Sequence, residues 1–444
     1  MITDLTHGNI KKLITLFCLP ILLGNFIQQM YHVLDSLFVG RLIGVKALAA
    51  LGATAPIFFV FLLIAFGFTA GLSIVTAQAF GAGRPQEVRR SVTHALMATV
   101  ALSFLICALV FAFLIPLLKL MNVPQEIMPQ AYLFMFILNA GLPLIVFYNL
   151  LSGIIRALGD SKTPLYFLIF SAVLNALLNW FFLHDLKMGV EGSAFGTIVS
   201  VFITSALCLV YVYRKFPILH LKKEDWHFDF SLLKKELHLA VPMAVQFSVL
   251  SLGLMVIQSV CNAFGTDVIA GYTAALRIEQ LSVQPMIAIG VTMATFSAQN
   301  WGAGNLLRIK SGVRFAMFVS FGLSLLATFL VRSIGFDLIA VFLKENNPFI
   351  IKIGQEYLNI STLFYFFLGS IFVLRNTLQG VGKPKFPLIS SILELTVRSF
   401  AAIYLAKLMG YQGILYASPA AWSVAALMLM IGYIFVFDRL KQPA

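Results

Sequence analysis

The sequence predicts an all-α integral membrane protein of twelve transmembrane helices, arranged as two pseudo-symmetric six-helix bundles. Three observations predict it. Of the 444 residues, 60% are apolar and only 11% charged, far less polar surface than a soluble chain of this length requires. The apolar residues fall in runs of roughly the 20 residues that a bilayer core demands. The chain also repeats itself: residues 77–84 read Ala-Gln-Ala-Phe-Gly-Ala-Gly-Arg, and residues 298–305 read Ala-Gln-Asn-Trp-Gly-Ala-Gly-Asn, 221 positions later. Nearly the same offset relates Leu19-Pro20 to Val241-Pro242, and Leu158-Gly159-Asp160 to Val381-Gly382-Lys383. A duplicated, very apolar chain implies two like bundles with a binding site between them.

Taken in order, the spans are expected near 13–38, 47–75, 92–118, 129–153, 163–184 and 189–213, then 237–264, 268–297, 311–332, 351–375, 386–407 and 411–437. The stretch 214–236 holds Arg214, Lys215, Lys222, Lys223, Lys234 and Lys235 and is the one connection long and polar enough to be a linker. Residues 1–213 are therefore expected to form an N-terminal lobe and 237–444 a C-terminal lobe. The first apolar run is long and lacks a small-residue cleavage site, so no cleavable signal peptide is expected.

The formal charge of +13 would suggest nucleic acid in a soluble chain. Here it sits in short loops, where it reports orientation. The side holding both termini and the loops around 84, 160, 222, 308 and 383 carries 21 Lys and Arg, the other side 8, and Arg277 and Arg398 fall within spans. The positive-inside rule then puts both termini in the cytoplasm of a multi-pass inner (plasma) membrane protein. Six helices per repeat relate the halves by an axis along the membrane normal. The four cysteines (Cys18, Cys107, Cys208, Cys261) stand singly in apolar stretches and read as small core residues.

No Gly-x-x-x-x-Gly-Lys-[Ser/Thr] phosphate loop occurs; the glycines of Gly81-Ala82-Gly83 read as helix ends in a left-handed cap. Active transport would then draw on an ion gradient. Ionisable groups inside spans are costly and mark functional sites, and three acids qualify: Asp35, Glu279 and Glu394. Arg398 lies one helical turn after Glu394, which suggests a structural ion pair. Glu279 has no obvious local partner, its neighbour Arg277 facing elsewhere. Asp35 stands in a very apolar helix whose one basic residue within reach on its N-terminal side is His32, three residues before it, with Tyr31 one turn before it, able to hydrogen-bond the carboxyl.

Asn175 and Asn179, one turn apart, with Asn149 and Thr197, add amides and a hydroxyl to the half that holds Asp35. Together they suggest a shared polar pocket. Such oxygens suit a proton-binding carboxyl and equally a hard cation such as sodium at Asp35, Asn175, Asn179 and Thr197. Tyr31, Asn149, Gln246 and Glu279 are the candidates to line a substrate cavity. The 42 Phe and 15 Met residues offer adaptable walls for varied apolar shapes and cations.

With these residues assembled, the chain resembles the multidrug and toxic compound extrusion (MATE) family, most closely its DinF-like bacterial branch. The resemblance runs through Leu19-Pro20, Asp35-Ser36-Leu37-Phe38-Val39-Gly40-Arg41, Ala77-Gln78 with Gly81-Ala82-Gly83, and Arg156-Ala157-Leu158-Gly159-Asp160 with Pro164. Gly192-Ser193-Ala194 and Gln299-Asn300-Trp301-Gly302-Ala303-Gly304 also fit. It implies a V-shaped twelve-helix transporter, not an enzyme, that exports organic cations or amphipathic drugs in exchange for protons or sodium. The coupling acid would be Asp35, joined by an Asn-x-x-x-Asp pair in helix five and a Thr in helix six. Asn175 and Thr197 match; Asn179 stands where the family usually has Asp. One carboxylate makes a weaker sodium site, which favours proton coupling and leaves sodium open. The acid usual in helix seven of the NorM-like branch is absent, and that span offers Gln246 and Gln258. Beyond the coupling ion no cofactor is expected, and the partners expected are the exported compounds and membrane lipid, with the protein a monomer. A lipid-linked sugar flippase and an integral membrane enzyme remain the alternatives: the first calls for more cations inside spans, the second for clustered Asp or His.

Overall fold

The computed structural model describes residues 4–121, 123–341 and 347–439. The fold is helical throughout, with no strand among the described residues. The first half holds α1 (Ile10–Leu42), α2 (Val45–Gly81), α3 (Pro85–Leu120), α4 (Met128–Ala157), α5 (Lys162–Trp180, prolonged by a π-helical turn at Phe181–Asp185) and α6 (Val190–Lys215). The second half holds α7 (Phe230–Asn262), α8 (Thr266–Ser282), α9 (Gln284–Gly302), α10 (Leu306–Val341), α11 (Pro348–Leu363), α12 (Tyr365–Gly380), α13 (Lys385–Met409), α14 (Tyr411–Leu415) and α15 (Ala417–Arg439).

Ten helical segments are long and apolar enough to cross a bilayer alone. The pairs α8–α9, bent by 43°, and α11–α12, bent by 52°, bring the number to twelve when each pair is one span. Pro285, at the start of α9, explains the first bend, because proline lacks an N–H and its ring collides with the carbonyl four residues back. At the second bend no proline intervenes; the Phe364 N–H bonds to the Ser361 carbonyl at 3.0 Å, a tighter turn than the α-helical one.

The repeat is visible as backbone chemistry. Gly83, Gly159, Gly304 and Gly382 all have positive φ, between 68° and 86°, the left-handed cap expected of the first Gly-Ala-Gly motif. After each, the next residue's N–H reaches the carbonyl five residues back: Arg84 to Ala79, Asp160 to Ile155, Asn305 to Asn300, and Lys383 to Leu378, at 2.8–3.2 Å. Four helix ends thus satisfy their last carbonyls in one way.

By packing, the chain divides into one unit of residues 1–4 and 23–244, and another of 5–22 and 245–444. These limits differ from a division at the linker, because α1 and α7 each contribute one end to either unit. In the first unit α2 packs on α3 and α4, and α4 on α6, around Leu72, Ala95, Leu150 and Ile155 and, further along, Ala50, Leu114, Met135 and Val146. In the second, α9 packs on α12 and α13 on α15, around Met293, Phe296, Val373 and Leu429, with Tyr272, Ile353 and Tyr357 in a separate cluster. Lipid tails are as apolar as leucine, so helix association depends on close approach through small residues. At Gly71 a Cβ would come within 2.5 Å of the Ala240 Cα.

The polar linker is shorter than the sequence suggests and is docked. It runs from Phe216 to Asp229, with Asp225 buried against α3. The Arg89 Nε donates to the Asp225 carboxylate at 2.9 Å, and the Thr93 hydroxyl donates to the Asp225 carbonyl at 2.7 Å. At the linker's end, Asp229 accepts from the backbone N–H groups of Ser231 and Leu232, which holds its carboxyl below the usual carboxylate range.

Candidate functional site

Three helices of the first unit each present two polar side chains one turn apart: Tyr31 and Asp35 on α1, Asn175 and Asn179 on α5, Ser193 and Thr197 on α6. Residues at i and i+4 share a helix face, so the six meet as a two-rung ladder. On the first rung the Asn179 amide and the Ser193 hydroxyl donate to the same Asp35 oxygen, at 2.8 and 3.0 Å. On the second, the Asn175 amide and the Tyr31 hydroxyl donate to the Thr197 oxygen at 3.3 and 3.5 Å. The Asn179 amide also donates to the Asn175 oxygen at 3.2 Å, joining the rungs. Asp35 itself is half-buried, while Asn175, Asn179 and Ser193 are buried.

Asn179 carries the one unmet demand in this group. Its side-chain oxygen is buried without a hydrogen-bond partner, pressed toward Gly196, where a Cβ would lie only 2.3 Å away. Gly196 is thus what allows α6 to approach α5 at this level. Among the described residues no cation pairs with Asp35. Ser193 was not singled out as a partner by sequence, although it stands one turn before Thr197 on the same face, the spacing that links Asn175 to Asn179.

Of the residues expected to line a substrate cavity, Tyr31 belongs to this ladder. Asn149, on α4, makes no hydrogen bond among the described residues. Gln246 and Glu279 lie in the second unit with other partners. The Gln379 amide donates to the buried Gln246 oxygen at 2.8 Å. The Tyr357 hydroxyl donates to the Glu279 carboxylate at 2.7 Å, with the Tyr272 ring edge-on to Tyr357, centroids 5.0 Å apart.

The Glu394–Arg398 pair forms, at 2.5 Å, but it is part of a triad. Arg375 on α12 also donates to Glu394, at 2.9 Å, and all three are at most 5% exposed. Arg375 therefore stands inside a span, a correction to the placement of in-span cations at Arg277 and Arg398 alone. It lies 19 residues before Glu394, on another helix, so no local spacing reveals the partnership. Gly253 leaves room for the Arg398 guanidinium: a Cβ there would sit 2.9 Å from it. The Nε atoms of Arg375 and Arg398 remain buried without partners.

The four cysteines are free, and among the described residues no three His, Cys, Asp or Glu side chains gather as a metal site. A polytopic helical membrane protein with a carboxylate held by neutral groups in one bundle, and a charge cluster inside the other, has the architecture of a transporter.

Comparison with known proteins agrees. The MatE family model matches residues 20–181 and again 242–405, one match per repeat. The chain is 31% identical to the probable multidrug resistance protein YpnP of Bacillus subtilis, over 93% of this chain and 92% of the relative. It is 28% identical to the probable multidrug resistance protein YoeA of the same organism, over 97% and 95%. A solved outward-facing multidrug resistance MATE family transporter of the MOP superfamily superposes with a TM-score of 0.92 at 22% identity, covering 99% of this chain and 98% of the other. The chain belongs to the MATE family, and it is a multi-pass membrane transporter.

Proposed function

We propose that the protein exports cationic or amphipathic organic compounds across the inner membrane by proton antiport, with both termini cytoplasmic and Asp35 as the proton carrier. The relatives' names, probable multidrug resistance proteins, support the substrate class. One observation carries the coupling: Asp35 is held by the Asn179 amide and the Ser193 hydroxyl, with no cation among the described residues to fix its charge. An acid so placed can change its protonation state without breaking an ion pair.

The hydrogen bonds favour a proton over sodium. Asn179 and Ser193 turn donors toward Asp35, and Asn179 turns a donor toward Asn175; the Asn179 oxygen lies instead toward Gly196 and would have to turn to meet a cation beside Asp35. Protonation at Oδ2 makes Asp35 itself a donor while Oδ1 goes on accepting both bonds, so the new hydroxyl needs an acceptor of its own. The Asn179 oxygen, buried and unpaired, is the acceptor in this group that lacks a partner. Accepting the Asp35 proton would require the Asn179 amide to turn, loosening its bond to Asn175 and thus the second rung. Pro20 removes one backbone bond within α1 and is a weak point about which its remainder can move. Coupling requires that the proton bind one conformational state more tightly than the other.

The test is efflux of a fluorescent organic cation from proteoliposomes under an imposed pH gradient, and separately under an imposed sodium gradient. The wild type is expected to respond to the pH gradient, and Asp35→Asn to reconstitute normally yet respond to neither. Equal drug–proton exchange in Asp35→Asn overturns the assignment, and a response to sodium alone overturns the choice of ion.

A further inference from the structure

The two units treat one groove differently. In the first unit the space beside α3 and α6 is filled by the linker. Phe216 and Leu219 bury against Val88, Val92 and Val212, and Asp225 brings a carboxylate to Arg89. The helices α3 and α10 are both 36 residues long and start 221 positions apart. At that offset Arg89 becomes Lys310, Thr93 becomes Arg314 and Val92 becomes Val313.

Among the described residues nothing fills the second groove. A cavity of about 530 Å³ lies between α10, α12 and α15. Lys310, Arg314 and Asp438 line one end of it, and neither cation makes an ion pair or hydrogen bond among the described residues. Two cations and one acid leave a net charge of +1. Met317, Leu374, Met430 and Ile434 continue the lining, with Met430 and Ile434 exposed. The polar residues sit toward the start of α10 and the end of α15, and the apolar ones further along both helices. One end of the groove is therefore cationic and the rest is apolar. That pattern matches a lipid, with a charged head and an acyl tail, rather than a free anion.

We propose that the groove between α10 and α15 binds an anionic phospholipid, its phosphate against Lys310 and Arg314 and one acyl chain along Met317, Leu374, Met430 and Ile434. The lipid takes the place that Asp225 and the linker's apolar side chains take in the first unit. Basic pockets between helices near the cytoplasmic surface bind such head groups; that the lipid comes from the inner leaflet rests on the orientation given under Proposed function, whereas binding itself does not.

Native mass spectrometry of the full-length protein, released from nanodiscs of equimolar phosphatidylglycerol and phosphatidylcholine, tests this without any transport step. The wild type is expected to retain phosphatidylglycerol in preference. Removing each cation should lower that preference about fivefold, so Lys310→Gln with Arg314→Gln brings it to the phosphatidylcholine level and Lys310→Arg restores it. Met430→Trp, which fills the groove and leaves both cations, should also remove it. Millimolar inorganic phosphate should not displace the lipid. Undiminished preference in the double variant or in Met430→Trp overturns the proposal, as does full displacement by inorganic phosphate, which would make the site one for a free anion.

Discussion

The two six-helix halves share a scaffold and differ in what they bury. Their glycine caps close with the same backbone bonds, and the turns at Gly44 and Gly265 share positive φ, 116° and 92°. The first unit holds a half-buried carboxylate among neutral amides and hydroxyls. The second buries an ionised triad of Glu394, Arg375 and Arg398, with Glu279 held by Tyr357 beside two bent helix pairs. Neutral partners leave an acid free to exchange its proton, whereas an ion triad fixes charge and geometry at once. Duplication supplied the framework, and divergence of a few buried residues made one half a candidate proton carrier and the other a charged brace.

The comparison breaks most readily at the triad. Glu394→Ala leaves two guanidinium groups buried without their counter-charge, which costs about 3–5 kcal/mol. A large fall in thermal stability in detergent is expected, and replacement of all three by apolar residues of similar volume (R375M with E394L and R398M) should recover most of it. Near-wild-type stability of Glu394→Ala would show that the second unit does not depend on its charges. The next largest effect is at Gly196→Ala. The new methyl group would collide with the Asn179 oxygen, and overpacking of this kind costs roughly 1–3 kcal/mol. Because it displaces the amide that holds Asp35, we expect gradient-driven efflux to fall more than stability does. Unchanged efflux would separate the ladder from coupling. The smallest effect belongs to Tyr357→Phe, which removes one hydrogen bond worth about 1 kcal/mol. If Glu279 only braces the second unit, efflux should track that small loss of stability; a disproportionate loss of efflux would give the second unit a functional acid of its own.

The ladder was legible because its members follow helical spacing. Asp35 stands out in an apolar helix, and the pair Asn175 and Asn179 declares its own face. Ser193 was less visible, since a serine among small residues reads equally as a helix contact. Arg375 was hidden for another reason. It lies near the end of its span, where cations ordinarily reach for water, and its partner is on the next helix. The linker likewise read only as a polar connection. Its docking depends on Asp225 meeting Arg89, 136 residues away.

By itself the sequence determined the membrane fold, the duplication, the helix ends and the acid that stands out in α1. These are set by composition, by local spacing and by glycine's access to positive φ, all written within a few residues of where they act. Only the tertiary structure decided which groups Asp35 touches, that Glu394 has two guanidinium partners, and that one groove is filled while its counterpart is not. Those outcomes join residues dozens to hundreds of positions apart. They follow from which helix faces come together, and the spacing along any single helix does not fix that.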